Sequence, residues 1–419
     1  MGVVSYLSYI INDIGEFSIF FHCLHMNTIL SPILVQRFCA LQTELIPEVA
    51  SQMDGLTPKL EQIIRVLEWS RIENLLQTWV SAGPGQPQID RCALASAFIA
   101  KAVLDLKTTR ALIERLQVDK RLKRICGFDM HRALPSEATF SRAFEEFATS
   151  ELATRAHKQM IESQLGEHLI GHISRDSTSI EAREKVKTVT VKPIATEPVL
   201  EITPYAVPDV KPEPITESVV TPKRGRPRKG EQRTTAPAKV SPLERQSKQN
   251  LEKMLAELDK DCSIGIKKNA NGYKFSWRGY KLHLDTACCG VVISAILTGA
   301  AVHDSRVALP LSIISGQRVD YCYELMDAAY CSTVIRDFVS SQGRVALIDH
   351  NPRSGEKIEF SPAQAQRYNT RTGAERANAR LKDEFGARHV QVRGNPKVMS
   401  HLMFGVVALC ADQLMRLLQ

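Results

Sequence analysis

Aromatic residues are scarce, at 6% of 419 residues with three tryptophans. Cysteine occurs ten times but never as a C-x-x-C pair; only Cys288 and Cys289 adjoin. That argues against a zinc site and leaves reduced, mostly buried thiols of a cytosolic protein. No run of about 18 apolar residues is found, so no membrane span is expected. Residues 1–25 are apolar, but Asn12, Asp13 and Glu16 interrupt them and no basic segment leads in. They read as a peripheral extension rather than a secretory signal. Excess charge is also small: 54 Lys and Arg against 46 Asp and Glu leave a net charge of +8. This is compatible with a polyanionic partner without demanding one. The chain does have 44% hydrophobic residues, enough for a sizeable core in two or three domains.

The first part of the chain, residues 26–165, is helical in pattern. Leu60, Ile63, Ile64, Leu67, Ile72, Leu75, Leu76 and Trp79 recur at three- and four-residue steps and predict an amphipathic helix over 60–80. Residues 81–88, SAGPGQPQ, read as a loop. Two helices broken near 107–109 follow, and then a helix capped by Ser136 with Phe140, Phe144 and Phe147 on one face. Thr139, Ser141 and Arg142 lie off that stripe. They are candidate DNA contacts if this helix enters a groove; the plainer reading is a core helix with a solvated back.

From residue 166 onward strands alternate with helices. Leu169, His172 and Ile173 lead into Asp176, at the end of the first predicted strand. Residues 263–311 read as a β-meander in which Tyr280, Leu282 and Leu284 alternate with Lys281, His283 and Asp285. Residues 321–326 form a short buried strand ending at Asp327, the fourth in this count, and 344–351 form the fifth. Two rivals to Asp327 also close strands: Asp304, read as the N-cap of a helix, and Asp349. A last apolar helix over 396–419 reads as core.

Residues 186–245 break this rhythm. Ten of the twenty prolines fall between Pro193 and Pro242, without helical periodicity, as in an extended disordered insertion. Inside it lies PKRGRPRKGE, 222–231, which resembles an AT-hook. Gly-Arg-Pro makes a narrow ribbon, so Arg224 and Arg226 can enter an A·T-rich minor groove. A free basic linker that merely attracts phosphates is the alternative.

The most informative stretch is YNTRTGAERANARLK, 368–382. Tyr368, Arg371, Glu375 and Lys382 stand at relative positions 0, 3, 7 and 14. On one continuous helix of about 100° per residue they share an arc of roughly 60°. Ser361, Pro362 and Gln364 supply the start and Gly386 the stop. One carboxylate, two cations and a phenol on one face make a poor core stripe and a plausible phosphate-facing one.

The Y-x2-R-x3-E-x6-K spacing resembles that of a large group of bacterial insertion-sequence transposases of the DDE superfamily. The string PSEATFSR at 135–142 is similar to one in their helical N-terminal domains. The resemblance implies an α/β fold, an RNase H-like mixed sheet flanked by helices over 166–419, preceded by an all-α domain. It implies Asp176, Asp327 and Glu375 as catalytic and metal-holding residues, with Mg²⁺ or Mn²⁺ between them. Tyr368, Arg371 and Lys382, with Arg142, Arg224 and Arg226, would hold DNA. The activity implied is cleavage at terminal inverted repeats and strand transfer into target DNA, by a homodimer that pairs two ends. Two other readings stay open: a transposon-derived DNA-binding protein that no longer cuts, and an RNA-processing nuclease. Tyr368 as a covalent nucleophile is discounted, since no matching cluster of arginines and histidines accompanies it.

Overall fold

The computed structural model describes residues 56–76, 89–186, 241–268, 272–352 and 356–417. The extension at 1–25, the loop at 81–88 and the hook with Arg224 and Arg226 lie outside the described residues. The chain divides into two compact units, Met1–Met160 and Ile161–Gln419.

The first unit is helical. Helix α1, Pro58–Ser70, starts where the Thr57 hydroxyl accepts the Leu60 N–H, with Pro58 in the first turn. It ends ten residues short of the predicted span. Arg71 takes a left-handed φ of 42°, its N–H closes on the Leu67 carbonyl, and a 3₁₀ turn over Ile72–Leu75 follows. Helices α2 (Arg91–Val103), α3 (Thr109–Val118), α4 (Lys120–Ile125), α5 (Glu137–Thr149) and α6 (Leu152–Leu165) complete the series. The α2–α3 break falls where the sequence places it, with Thr108 capping α3. Every residue of α2 from Cys92 to Val103 is buried. Against its Phe98 stand Phe140, Phe144 and Phe147 of α5, with ring centroids 6.1, 4.9 and 6.2 Å away. Each such ring contributes roughly 1.5–3 kcal/mol by burial. The phenylalanine stripe is therefore core, and Ser141 and Arg142 lie on the exposed side.

The second unit is an RNase H-like sheet with helices on both faces. Its strands are β1 (Leu169–Glu181), β2 (Ser263–Lys268), β3 (Lys274–Ala287), β4 (Val292–Gly299), β5 (Asp320–Met326) and β6 (Val345–Ile348). The order is β2-β3-β1-β5-β6, with β4 also on β3. Strands β1 and β3 are antiparallel, whereas β1–β5 and β5–β6 are parallel. Residues 263–268 are a strand in their own right, so Asp327 follows the fifth strand rather than the fourth. Short helices α7 (Pro242–Gln246) and α8 (Leu251–Ala256) precede β2. The α7 start, a capping box between Ser241 and Glu244, lies inside the predicted bounds of the Pro-rich tract.

Helix α9, Ser305–Arg318, and helix α12, Thr372–Glu384, lie on opposite faces of the sheet. Consecutive strand residues point to opposite faces: Arg175 bonds the Ala308 carbonyl of α9, while Asp176 meets Asn378 of α12. Helix α10 (Thr333–Ser341) precedes β6, and α11 (Pro362–Asn369) precedes α12. Helix α13, Asn395–Leu417, has the length and apolar composition of a membrane span, but 78% of its most apolar window is buried in the unit, as core. With both faces of the sheet covered, the alternation along β3 is not inside against outside: His283 and Asp285 are as buried as Leu282 and Leu284.

Several polar residues of that second interior are joined in one network. The Arg175 guanidinium grips Asp285 through two bonds of 2.7 and 2.8 Å and lies 3.0 Å from Glu324. Ser315 donates to Asp285 at 2.7 Å, and Ser312 and Tyr321 donate to Glu324 at 2.5 and 2.8 Å. Arg175, Asp285 and Glu324 are wholly buried. Burial alone would lower the Arg175 pKa, but the charges of Asp285 and Glu324 outweigh it and raise it. Removing the cation strands two buried carboxylates, so Arg175→Ala is expected to cost about 3–5 kcal/mol in urea unfolding. An unchanged midpoint would refute a structural role for this network.

Candidate active site

Asp176 and Asp327 are neighbours because their strands are. In the parallel β1–β5 ladder Leu169 faces Asp320 and Ser174 faces Leu325. Two residues further along each chain come Asp176 and Asp327. Asp327 stands just past β5, where its carboxylate accepts the Ala329 N–H at 3.0 Å and opens a single 3₁₀ turn, Ala328–Tyr330.

Both carboxyl groups are held above the usual carboxylate range. Burial is the main cause for Asp176, and the Asp327 charge adds to it, against Arg371, Lys267 and the Ser177 N–H. Burial is again the main cause for Asp327; Asp304 adds to it, against the Ala329 N–H, Arg371 and Lys267. The local cations therefore fall short of compensating the acids.

Helix α12 lies over this pair. Asn378 donates to Asp176 at 3.0 Å. Arg371 lies 3.9 Å from Asp176 and 2.7 Å from Glu375, spanning the two carboxylates. Glu375 itself is 54% exposed at the side chain. Among the described residues no three His, Cys, Asp or Glu side chains form a ready metal cage, and Glu375 is paired with Arg371.

The single helix expected from Ser361 to Gly386 is broken. Helix α11 ends at Asn369 and α12 begins at Thr372. The Thr370 hydroxyl donates to the Arg367 carbonyl at 2.6 Å and meets His172 Nε2 of β1 at 3.0 Å, pinning the break to the sheet. Thr370 and Arg371 at the join nevertheless keep helical φ and ψ, and the Arg371 N–H bonds the Tyr368 carbonyl at 3.0 Å. Tyr368 reaches Arg371, whose guanidinium lies 5.9 Å from its ring centroid, and Phe360 packs against the ring at a tilt of 37° with centroids 4.9 Å apart. Lys382 sits two turns beyond Glu375, 3.5 Å from Ser179 of β1. Burial, and then Arg388 and Lys267, lower its pKa against Glu181 and Asp383.

Asp304 stands at the N-cap position of α9, but it has helical φ and ψ of −58° and −36° and its side chain caps no N–H. Its carboxylate is instead held by Lys281 at 2.8 Å and Ser177 at 3.0 Å. Burial would raise its pKa, but His283, Lys281 and these hydrogen bonds bring it below the ordinary value. Asp349 pairs with Lys357 at 3.1 Å. Arg142 belongs to the first unit, where its Nε reaches the Ala138 carbonyl at 3.4 Å.

Asp176 does not end its strand as expected, since β1 runs on five residues to Glu181, and two further candidate residues escape the strand-end rule. Asn378 is one turn after Glu375, and that spacing on a helix face was the available signal. Tyr330 is 1% exposed, and its hydroxyl has no hydrogen-bond partner among the described residues. After burial, the charges of Asp304, Asp327 and Asp176 all act on it. No local pattern announces it, since those acids come from three elements. A recess lined by Asp320, Tyr323 and Arg344 lies at the opposite ends of the strands and holds none of these residues.

Sheet order and flanking helices define an RNase H-like domain. Comparison with protein families narrows this: residues 256–411 match a transposase DDE domain, and residues 33–146 match a transposase domain, DUF772. The chain belongs with the insertion-sequence DDE transposases. The DDE match contains Asp327 and Glu375 and begins beyond the Pro-rich tract, so Asp176 lies outside it. No curated protein and no solved structure gives a significant match.

A raised carboxyl pKa fixes the sign of a pH effect. The folded protein binds the Asp176 and Asp327 protons more tightly than the unfolded chain. Their cost is therefore absent below the unfolded value of about 3.9 and grows as pH rises through the raised folded values. Asp176→Asn in EDTA is expected to melt above wild type at pH 7, by ~2 °C or more, with the gap closing toward pH 4. A gap independent of pH in scanning fluorimetry would contradict this.

Proposed function

We propose that this DNA transposase cuts insertion-sequence ends and joins them to target DNA with Asp176, Asp327 and Glu375 as its catalytic residues. The observation that carries the reading is the side-by-side placement of Asp176 and Asp327 at matching levels of neighbouring parallel strands, under the helix that bears Glu375. Two buried carboxyls with too little positive charge beside them fit a divalent cation. All-oxygen donors suit Mg²⁺ or Mn²⁺. Such an ion, held by Asp176 and Asp327 and joined by Glu375, would supply an activated oxygen nucleophile and charge neutralisation at the phosphorus.

The remaining work falls to the chain's own side chains. Asn378 holds one Asp176 oxygen and so sets the direction of the other. Arg371 presents a planar fork that matches a phosphate. As DNA enters, its phosphate competes for that fork and frees Glu375 and Asp176. Lys382, two turns along, takes a phosphate further down the strand as a point charge. Tyr368 keeps Arg371 in place through their contact and bonds a phosphate or stacks on a sugar. It is no covalent nucleophile here, because the acidic pair beside Arg371 supports in-line displacement by an oxygen from solution or a DNA 3′-hydroxyl. Arg142, and Arg224 with Arg226 in the hook-like segment, add DNA contacts outside this centre. A homodimer would bring two ends together.

The test is cleavage of a duplex carrying the element's own inverted repeat in Mg²⁺. Asp176→Ala, Asp327→Ala and Glu375→Ala are each expected to lower the rate ~10²-fold or more, several kcal/mol of transition-state stabilisation, while duplex binding persists. If Asp327→Ala cuts while Asp304→Ala does not, the second carboxylate is Asp304. If wild type binds the ends and never cuts, the protein is a binder alone.

A further inference from the structure

Strands β2 and β3 run on past the rest of the sheet as a two-stranded ribbon. On β3, pairing with β1 stops at Gly279 and pairing with β4 stops at Tyr280, whereas β2 pairs with Lys274 through Gly279. The ribbon forms the sheet's outer edge there. Its side chains are of two kinds. Ile264, Ile266, Tyr273 and Phe275 are 54–72% exposed, an unusual density of bare apolar surface on an edge strand. Between them lie cations: residues 263–279 contain four Lys and Arg and no Asp or Glu.

The ribbon is braced. Trp277 is buried, donates its indole N–H to the Tyr280 carbonyl at 3.0 Å and stacks on Phe275. It also occupies the space over Gly265, where a Cβ would lie 2.4 Å from the ring. The exposed apolar residues therefore stand on a stiff support. A ribbon of this width fits the major groove of duplex DNA, about 12 Å across. Interleaved cations and apolar groups suit phosphates on the rims and sugars or base edges between them. A second copy of the chain would set one acid-free basic ribbon against another, a like-charge pairing that costs free energy.

We propose that the β2–β3 ribbon is a DNA-contacting arm, with Lys274 and Arg278 on phosphates and Ile264 and Ile266, which share their face of the ribbon, against sugars and base edges of the duplex beside the cut site. This rests on the transposase reading and names a surface for it. The ribbon is anchored beside the acids: the Lys267 charge acts on Asp176, Asp327 and Lys382.

The experiment measures binding of the full chain to a fluorescein-labelled 30-bp duplex of mixed sequence by anisotropy, across a KCl series. For Lys274→Ala with Arg278→Ala, affinity at 100 mM KCl is expected to fall ~10-fold or more, and the slope of log K against log salt to lessen by about 2. Ser276→Arg, a cation added at an exposed ribbon position, is expected to tighten binding and steepen the slope by about 1, which loss of fold cannot mimic. Unchanged affinity and slope in both variants would overturn the proposal. So would altered sedimentation with DNA affinity unchanged, which would make the ribbon a contact between copies. Failure of wild type to bind any duplex would sink the transposase reading itself; wild-type binding indifferent to the ribbon sinks the arm alone.

Discussion

A guanidinium shut away from water holds the middle of the sheet. Arg175 bonds both oxygens of Asp285 on β3, lies against Glu324 on β5 and reaches a carbonyl of α9. Three strands and a helix are thereby locked in register at one level. The next residue is Asp176. Its backbone has little freedom left, and the β1–β5 ladder puts Asp327 beside it. A charge cluster on one face of the sheet thus fixes the position of the acidic pair on the other.

That arrangement is costly in the isolated protein. Asp176 and Asp327 are desolvated, close together and only partly offset by Arg371. On the proposed function, that is free energy a cation and a phosphate would release, and Arg371, shared between Asp176 and Glu375, is the side chain on which that exchange would turn. Asp304 shows the contrast. It is also largely buried, yet His283, Lys281 and Ser177 bring its pKa below the ordinary value.

Much of the site was legible because its residues obey local rules. Asp327 closes an apolar run at the end of β5, although β1 runs on past Asp176, and the start signal at Ser361 opens α11, one helix ahead of the α12 that carries Glu375. The RNase H-like order followed from counting strands and helices, one strand short because 263–268 is brief and half exposed. Misreadings came where a distant partner overrode the local preference. Asp304 has the position of an N-cap, but Lys281 and Ser177 claim its oxygens. Thr370 has no helix-breaking chemistry of its own, but His172, 198 residues earlier, meets it at the join of α11 and α12. The alternation along β3 predicts one wet face, but α9 covers it and His283 and Asp285 become interior.

Sequence alone determined which carboxylates were available, which strands and helices carry them, and that a basic, Gly-Arg-Pro-containing tract interrupts the domain. Those are properties of neighbouring residues: alternation, caps, turn formers and charge. Tertiary structure decided the acidity of Asp176 and Asp327, the pairing of Arg371 with Glu375, and the places of Asn378 and Tyr330. Each depends on side chains brought together from different elements. Desolvation and Coulomb energy follow distance and burial in space, and neither is encoded by position along the chain.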